Sequence, residues 1–273
     1  MHRIGVCSWS LRPRSPHELM ARVRETGVSF VQLHLDPLRL EPGWVEERTT
    51  AALAAGGARI VSGMMSMRGE DYSTLETIRR TGGVRPDEHW EDNLSAAHAN
   101  AALARRLGLD LVSFHAGFLP HESSDPEREV MLDRLRAIAD AFAAADVRVA
   151  LETGQESADT LLGVLEELGH ESVGVNFDPA NMLLYDMGDP VDSLRKLVPW
   201  VRQIHVKDAV RAKAPGEWGE EVLAGTGEVN WESFFGVLRE SKLDVDLMIE
   251  REAGDDRSGD VSTAREMVEG MLV

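Results

Sequence analysis

Four residues in the second half of the chain each arrive at the end of a short aliphatic run. They are Glu152 after VRVAL, Asp178 after SVGVNF, His205 in VRQIHV and Glu250 after VDLMI. A lone acid after a strand usually forms a turn or caps a helix, and Asp178-Pro179 by itself reads that way. Glutamate is a poor cap, however, and Glu152 and Glu250 follow their aliphatic runs directly. Three carboxylates crowded into a dry site drive one another's pKa upward. A divalent cation removes that conflict, and a neutral imidazole completes a mixed oxygen and nitrogen set. Hard oxygens with one imidazole and no thiolate suit one Mn²⁺, Mg²⁺ or Co²⁺ in six-coordinate geometry, not a structural zinc. Four protein ligands leave two positions open, enough for the carbonyl and hydroxyl oxygens of a sugar.

Such a site needs elements that bring four distant positions to one rim. Short apolar runs recur eight times, at residues 3–7, 30–34, 59–62, 109–114, 147–151, 172–177, 201–206 and 245–249. They are rich in Val, Ile and Leu and do not alternate cleanly, as expected of strands buried on both faces of a parallel sheet. Between them lie helical patterns, among them 94–107, 128–144, 158–168 and 191–197. Ser15-Pro16, Ser157 and Asp189-Pro190 supply helix starts. Eight strand–helix units in 273 residues predict a single (β/α)₈ TIM barrel spanning 1–273 rather than an open doubly wound sheet. Long loops at 64–91 and 207–230 follow the third and seventh strands, on the carboxyl-end rim. The first carries a short helical stretch, 73–80, and reads as a lid.

The net charge of −18 repels phosphate backbones and anionic lipid, so neither nucleic acid nor a membrane is an expected partner. No apolar run is long enough to span a bilayer, and the N-terminus reads as a first strand, not a leader. Cys7 is the sole cysteine, so no intrachain disulfide forms and a cytoplasmic location is expected. The expected partner is a small carbohydrate; a homo-oligomer is left open.

The strings LETGQES, GVNFDPANMLLYDMGDP, QIHVKDAV, GEWGEEVLAGTGEVNW and MIERE resemble the xylose-isomerase-like superfamily of sugar isomerases and epimerases. The resemblance covers essentially the whole chain, and its specific part lies in the last four strands. It implies that Glu152, Asp178, His205 and Glu250 ligate the metal and that Glu152 and Glu250 act as acid and base. It also implies a substrate-holding role for Arg211, six residues after the histidine. Ketose epimerases of the family carry a histidine three residues after the metal aspartate, where this chain has Asn181. The implied chemistry is proton transfer beside a carbonyl through an enediolate, giving isomerisation or epimerisation. The same metal and base could instead acidify a proton beside a 3-keto group and eliminate a glycosidic substituent, as a lyase or hydratase does. Relatives on this fold also cleave abasic DNA, which the acidic charge disfavours, and retention of all four ligands disfavours a non-catalytic binding module.

Other residues are candidates for substrate contact. His115, in SFHAGF, sits on the same rim, and Trp9 offers an apolar face for a sugar. Lys207 either neutralises an enediolate or pairs with Asp208. His34, Glu70 and Trp218 are weaker candidates, and Gly225-Thr226-Gly227 has the look of a phosphate-cradling turn without the following lysine.

Overall fold

The computed structural model describes residues 2–214 and 216–272. Eight parallel strands close into a barrel: β1 (Ile4–Cys7), β2 (Phe30–His34), β3 (Arg59–Met64), β4 (Leu111–Phe114), β5 (Arg148–Glu152), β6 (Val173–Phe177), β7 (Val201–Val206) and β8 (Asp246–Ile249). Closure is made by β1 and β8, with Ile4 opposite Leu247 and Val6 opposite Ile249. Every strand run read from the sequence is a barrel strand, with ends shifted by at most two residues. Helices cover the outside, and their starts use the expected caps. The Glu18 N–H donates to Ser15 Oγ, Thr160 N–H to Ser157 Oγ, and Val191 and Asp192 N–H to Asp189.

The inside of the barrel is polar beneath the carboxyl-end rim. In β6, Phe177 faces outward onto Phe234, while Asn176 faces inward. Ser62 Oγ donates to Gln203 Oε1 at 2.6 Å, and Gln203 Nε2 donates to Asn176 Oδ1 at 3.3 Å. On the other side Gln32 Nε2 donates to Ser113 Oγ at 2.8 Å. These side chains are buried, and their partners come from different strands, so the layer cross-braces the barrel.

Both long loops carry more structure than their sequence suggested. The helix expected from residue 94 begins at Asp87 and runs to Leu107, which shortens the first loop. Asp87, Glu88, Glu91 and Asp92 are exposed, so this first stretch carries no apolar stripe to signal a helix. The short helix expected at 73–80 is Leu75–Thr81, with Thr74 as its N-cap. In the second loop, Asp208–Val210 pairs antiparallel with Glu220–Val222.

Asp208 pins this second loop. Its carboxylate accepts from the N–H groups of Ala209 (2.9 Å), Gly225 (2.9 Å), Gly227 (3.1 Å) and Val229 (3.1 Å), and from Trp231 Nε1 (2.9 Å). A Cβ on Gly227 would lie 2.2 Å from Asp208 Oδ1, so only glycine permits this approach. Two readings are corrected here. The Gly225–Gly227 turn cradles an internal carboxylate, not a phosphate, and Asp208 is saturated by these donors and does not pair with Lys207. Asp208→Asn would present an amide to donors that need an acceptor. It should lower unfolding free energy by about 3 kcal/mol, read as a shifted midpoint in urea denaturation.

Candidate metal centre

Glu152 is the last residue of β5, His205 lies in β7, and Asp178 and Glu250 immediately follow β6 and β8. Parallel neighbouring strands therefore deliver all four to one rim. Their ligand atoms lie within 4.8 Å of one another, and all four residues are buried.

Asp178 does cap the helix Pro179–Leu184, since Asn181 N–H donates to its Oδ1 at 3.0 Å. That accounts for one oxygen only. Oδ2 is buried with no hydrogen-bond partner, and so is His205 Nδ1. Nδ1 faces Glu250 Oε2 at 3.3 Å, Glu152 Oε1 at 3.4 Å and Asp178 Oδ2 at 3.7 Å. Two orphaned donor atoms facing two more carboxylates form a set that fits a divalent cation, because an unpaired buried polar atom is otherwise costly.

The far side of the imidazole is held. His205 Nε2 lies 2.8 Å from Gln32 Oε1, with the Asn176 amide 2.9 Å from the same nitrogen. Gln32 also directs its amide nitrogen to the Gly63 carbonyl, so its oxygen must face His205. The Nε2 proton therefore goes to Gln32, and the Nδ1 lone pair points at the carboxylates. Cys7 lies close by, but burial pushes its thiol up to about 12, and it faces Gln32 Oε1 at 3.4 Å. Its Sγ stands 3.6 Å from His205 Nε2, on the side of the ring away from the Nδ1 that faces the three carboxylates, so Cys7 lies outside the four-residue set.

Without a cation the cluster is electrostatically frustrated. Burial raises the Asp178 carboxyl to about 6. Burial also works against protonated His205, yet the surrounding negative groups, Glu152 and Glu250 among them, hold it well above its usual range.

The two glutamates have different neighbours. Glu250 receives Trp9 Nε1–H at 2.6 Å and Lys207 Nζ at 2.9 Å. Glu152 receives two neutral amides, from Asn181 at 3.1 Å and Asn176 at 3.3 Å, while His115 Nε2 stands 3.6 Å away. Burial opposes ionisation of Glu250, but Lys207 and His205 hold its pKa well below the usual carboxylate range.

Through Glu250, the member of the cluster that lines it, the cluster adjoins a cavity of about 460 Å³ walled also by Trp9, His34, Glu70, Tyr72, His115, Asn181, Tyr185, Lys207, Trp218 and Glu252, with Glu152 one layer behind Asn181 and His115. Of the residues expected to contact substrate, Trp9, His115, Asn181 and Lys207 are brought together here. Arg211 is not: its guanidinium binds Asp186 at 3.0 Å and the Gly188 carbonyl at 2.8 Å, away from the cavity wall. Lys207 pairs with Glu250 and, at 2.7 Å, with Glu252. His34 is engaged by Ser66 and Asp36, and burial raises the Glu70 carboxyl. Sequence reasoning overlooked Gln32 and Asn176, although an amide inside an apolar strand was a visible signal. It also overlooked Tyr185 and Glu252, which carried none.

The chain belongs to the xylose isomerase-like TIM barrel family, whose model matches residues 20–271. It is similar to a xylose isomerase domain protein from Planctomyces limnophilus, at 33% identity over 92% of this chain and 91% of that one, with a TM-score of 0.85. An L-ribulose 3-epimerase shares the fold with a TM-score of 0.75 and 18% identity, covering 100% of this chain and 95% of its own. A 3-dehydroshikimate dehydratase from Bacillus anthracis is 37% identical over 90 residues, 31% of each protein, so under a third of that curated relative is matched. Among the described residues no helix is long and apolar enough to cross a membrane.

His205→Ala removes the one nitrogen donor and should weaken Mn²⁺ binding more than about 100-fold, since loss of outer partners alone costs about 10–100-fold. In the unaltered protein, affinity should fall as pH drops, because the cation must displace a proton from His205, held well above its usual range, and below about 6 one from Asp178 as well. Calorimetric titration of Mn²⁺ across pH 5–8 reads both, and a flat profile would contradict the assignment of His205 and Asp178.

Proposed function

We propose that this protein is a divalent-metal-dependent isomerase or epimerase of an uncharged polyhydroxy carbonyl compound, with Glu152 as the general base. The observation that carries the reading is the unequal setting of the two glutamates beside one buried cluster. Burial opposes ionisation of both carboxyls, yet His115 and His205 hold Glu152 below the usual range and Lys207 and His205 hold Glu250 well below it. Glu152, bonded to neutral amides, therefore keeps more of its basicity than Glu250, bound by an ammonium and an indole N–H. When bound, the cation supplies Lewis acidity toward vicinal substrate oxygens.

Glu152 then removes the proton beside the carbonyl. His115, next to it and with Nδ1 free, is placed to pass that proton on or return it. Asn181 orients Glu152, while Lys207 and Trp9 fix Glu250 as a ligand. The epimerase relative is consistent with this reading. The dehydratase match supports a second one, in which the same base removes the proton beside a keto carbon and the group on the next carbon leaves, as the aglycone would from a 3-keto-glycoside. A carboxylate-bearing substrate suits the cavity less well. Among the described residues Lys207 is the one Lys or Arg in its wall, and two glutamates already neutralise it.

Incubation of the Mn²⁺-loaded protein in D₂O with ketoses and keto-glycosides tests the reading. Deuterium uptake without loss of a group indicates isomerase or epimerase, and release of the aglycone indicates lyase. Glu152→Gln should cut exchange by about 10²–10⁴-fold at saturating metal. Glu250→Gln should chiefly weaken the metal and spare more of the exchange. Near-normal exchange in Glu152→Gln would exclude it as the base. Phosphorylated sugars should turn over more slowly than their free counterparts, and the reverse order would overturn the uncharged-substrate reading.

A further inference from the structure

Beyond the metal cluster, the cavity continues to a wall formed by Leu184, Tyr185 and Trp218, which the proposed proton transfer does not use. Tyr185 follows the helix Pro179–Leu184 and is buried, and Trp218 lies between the paired strands of the second loop. Close backbone contact holds the two together. Gly219 N–H donates to the Leu184 carbonyl at 3.2 Å. A Cβ on Gly219 would sit 2.7 Å from the Val210 carbonyl oxygen and 3.0 Å from Leu184 Cα, so any side chain there would push the loop away. The Trp218 and Tyr185 rings consequently meet at 4.9 Å and 62°, with Phe118 against Tyr185 at 5.6 Å. Ile78, from the helix Leu75–Thr81, belongs to the same apolar cluster, so both long loops meet in one cluster with Tyr185.

The charges at this end are already matched. Glu221 is bound by Arg251 and by the N–H groups of Glu252 and Ala253, and Glu252 is bound by Lys207. Among the described residues of the cavity wall the one Lys or Arg is Lys207, already paired with two glutamates, whereas a neutral ring would find aromatic surface.

We infer that Leu184, Tyr185 and Trp218 form a second subsite for an uncharged ring joined to the reacting sugar, so that the substrate is a glycoside and not a free monosaccharide. This rests on the function proposed above. The cavity of about 460 Å³ agrees with it, since pockets of about 300–1,000 Å³ bury most of a drug-sized ligand.

The test is calorimetric titration of the Mn²⁺-loaded protein with the 3-keto forms of methyl β-D-glucoside, phenyl β-D-glucoside and cellobiose, and with D-fructose. The phenyl keto-glucoside or keto-cellobiose should bind at least about tenfold more tightly than the methyl keto-glucoside. Whichever gains more identifies the ring as aryl or as a second sugar. Trp218→Ala should bring the ratio close to one with one Mn²⁺ per chain retained, and Trp218→Phe should preserve most of it. A ratio of one in the unaltered protein, or a ratio that survives Trp218→Ala, overturns the subsite. Mn²⁺-dependent binding of D-fructose alongside such a result leaves the proposed function standing. Absence of Mn²⁺-dependent binding by every sugar removes both.

Discussion

Three carboxylates and an imidazole whose ligand atoms lie within 4.8 Å, all withdrawn from water, are the constraint on which this structure turns. Ionised groups in such a place are tolerated only when paired and hydrogen-bonded. The barrel meets that demand from several strands at once. Trp9 follows β1, Gln32 lies in β2, Asn176 in β6 and Lys207 just after β7, and each holds a side chain of the cluster. Closure of β1 against β8 is what carries Trp9 to Glu250. What this shell leaves open, Asp178 Oδ2 and His205 Nδ1, is where a cation fits.

Some of the chain's surplus negative charge serves as internal fastening. Asp208 gathers four backbone N–H groups and the Trp231 indole, and Glu221 gathers Arg251 with two backbone N–H groups. These two carboxylates tie the second long loop to the barrel and to the segment after β8. The net charge of −18 is therefore not solubility alone. The cavity wall inherits its rigidity from such contacts, and rigid placement is what lets a distal wall select among substrates.

The unequal surroundings of Glu152 and Glu250 follow from the same packing. Lys207, two residues beyond His205 and so on the same face, reaches Glu250 and Glu252 because β7 and β8 are neighbours. No lysine reaches Glu152 among the described contacts; it has amides and His115. Two residues of one type, at equivalent strand ends, thus acquire different proton affinities from their neighbours.

The strands, their order and the rim positions of the four clustered residues were legible in the sequence, because a buried parallel strand needs a continuous apolar run and its end is marked where a polar residue interrupts it. Helix starts were legible for an equally local reason, the need of the first N–H groups for an oxygen at Ser15, Ser157 and Asp189. Tertiary structure alone decided which partners those residues would meet. Lys207 could pair with adjacent Asp208 or with distant Glu250, and Arg211 could face the cavity or Asp186. Local sequence weighs these choices equally, and they are settled by loop paths that depend on contacts such as Gly227 on Asp208 and Gly219 on Leu184. Periodicity reports burial along one element, whereas pairing depends on side chains that converge only after eight strands have closed.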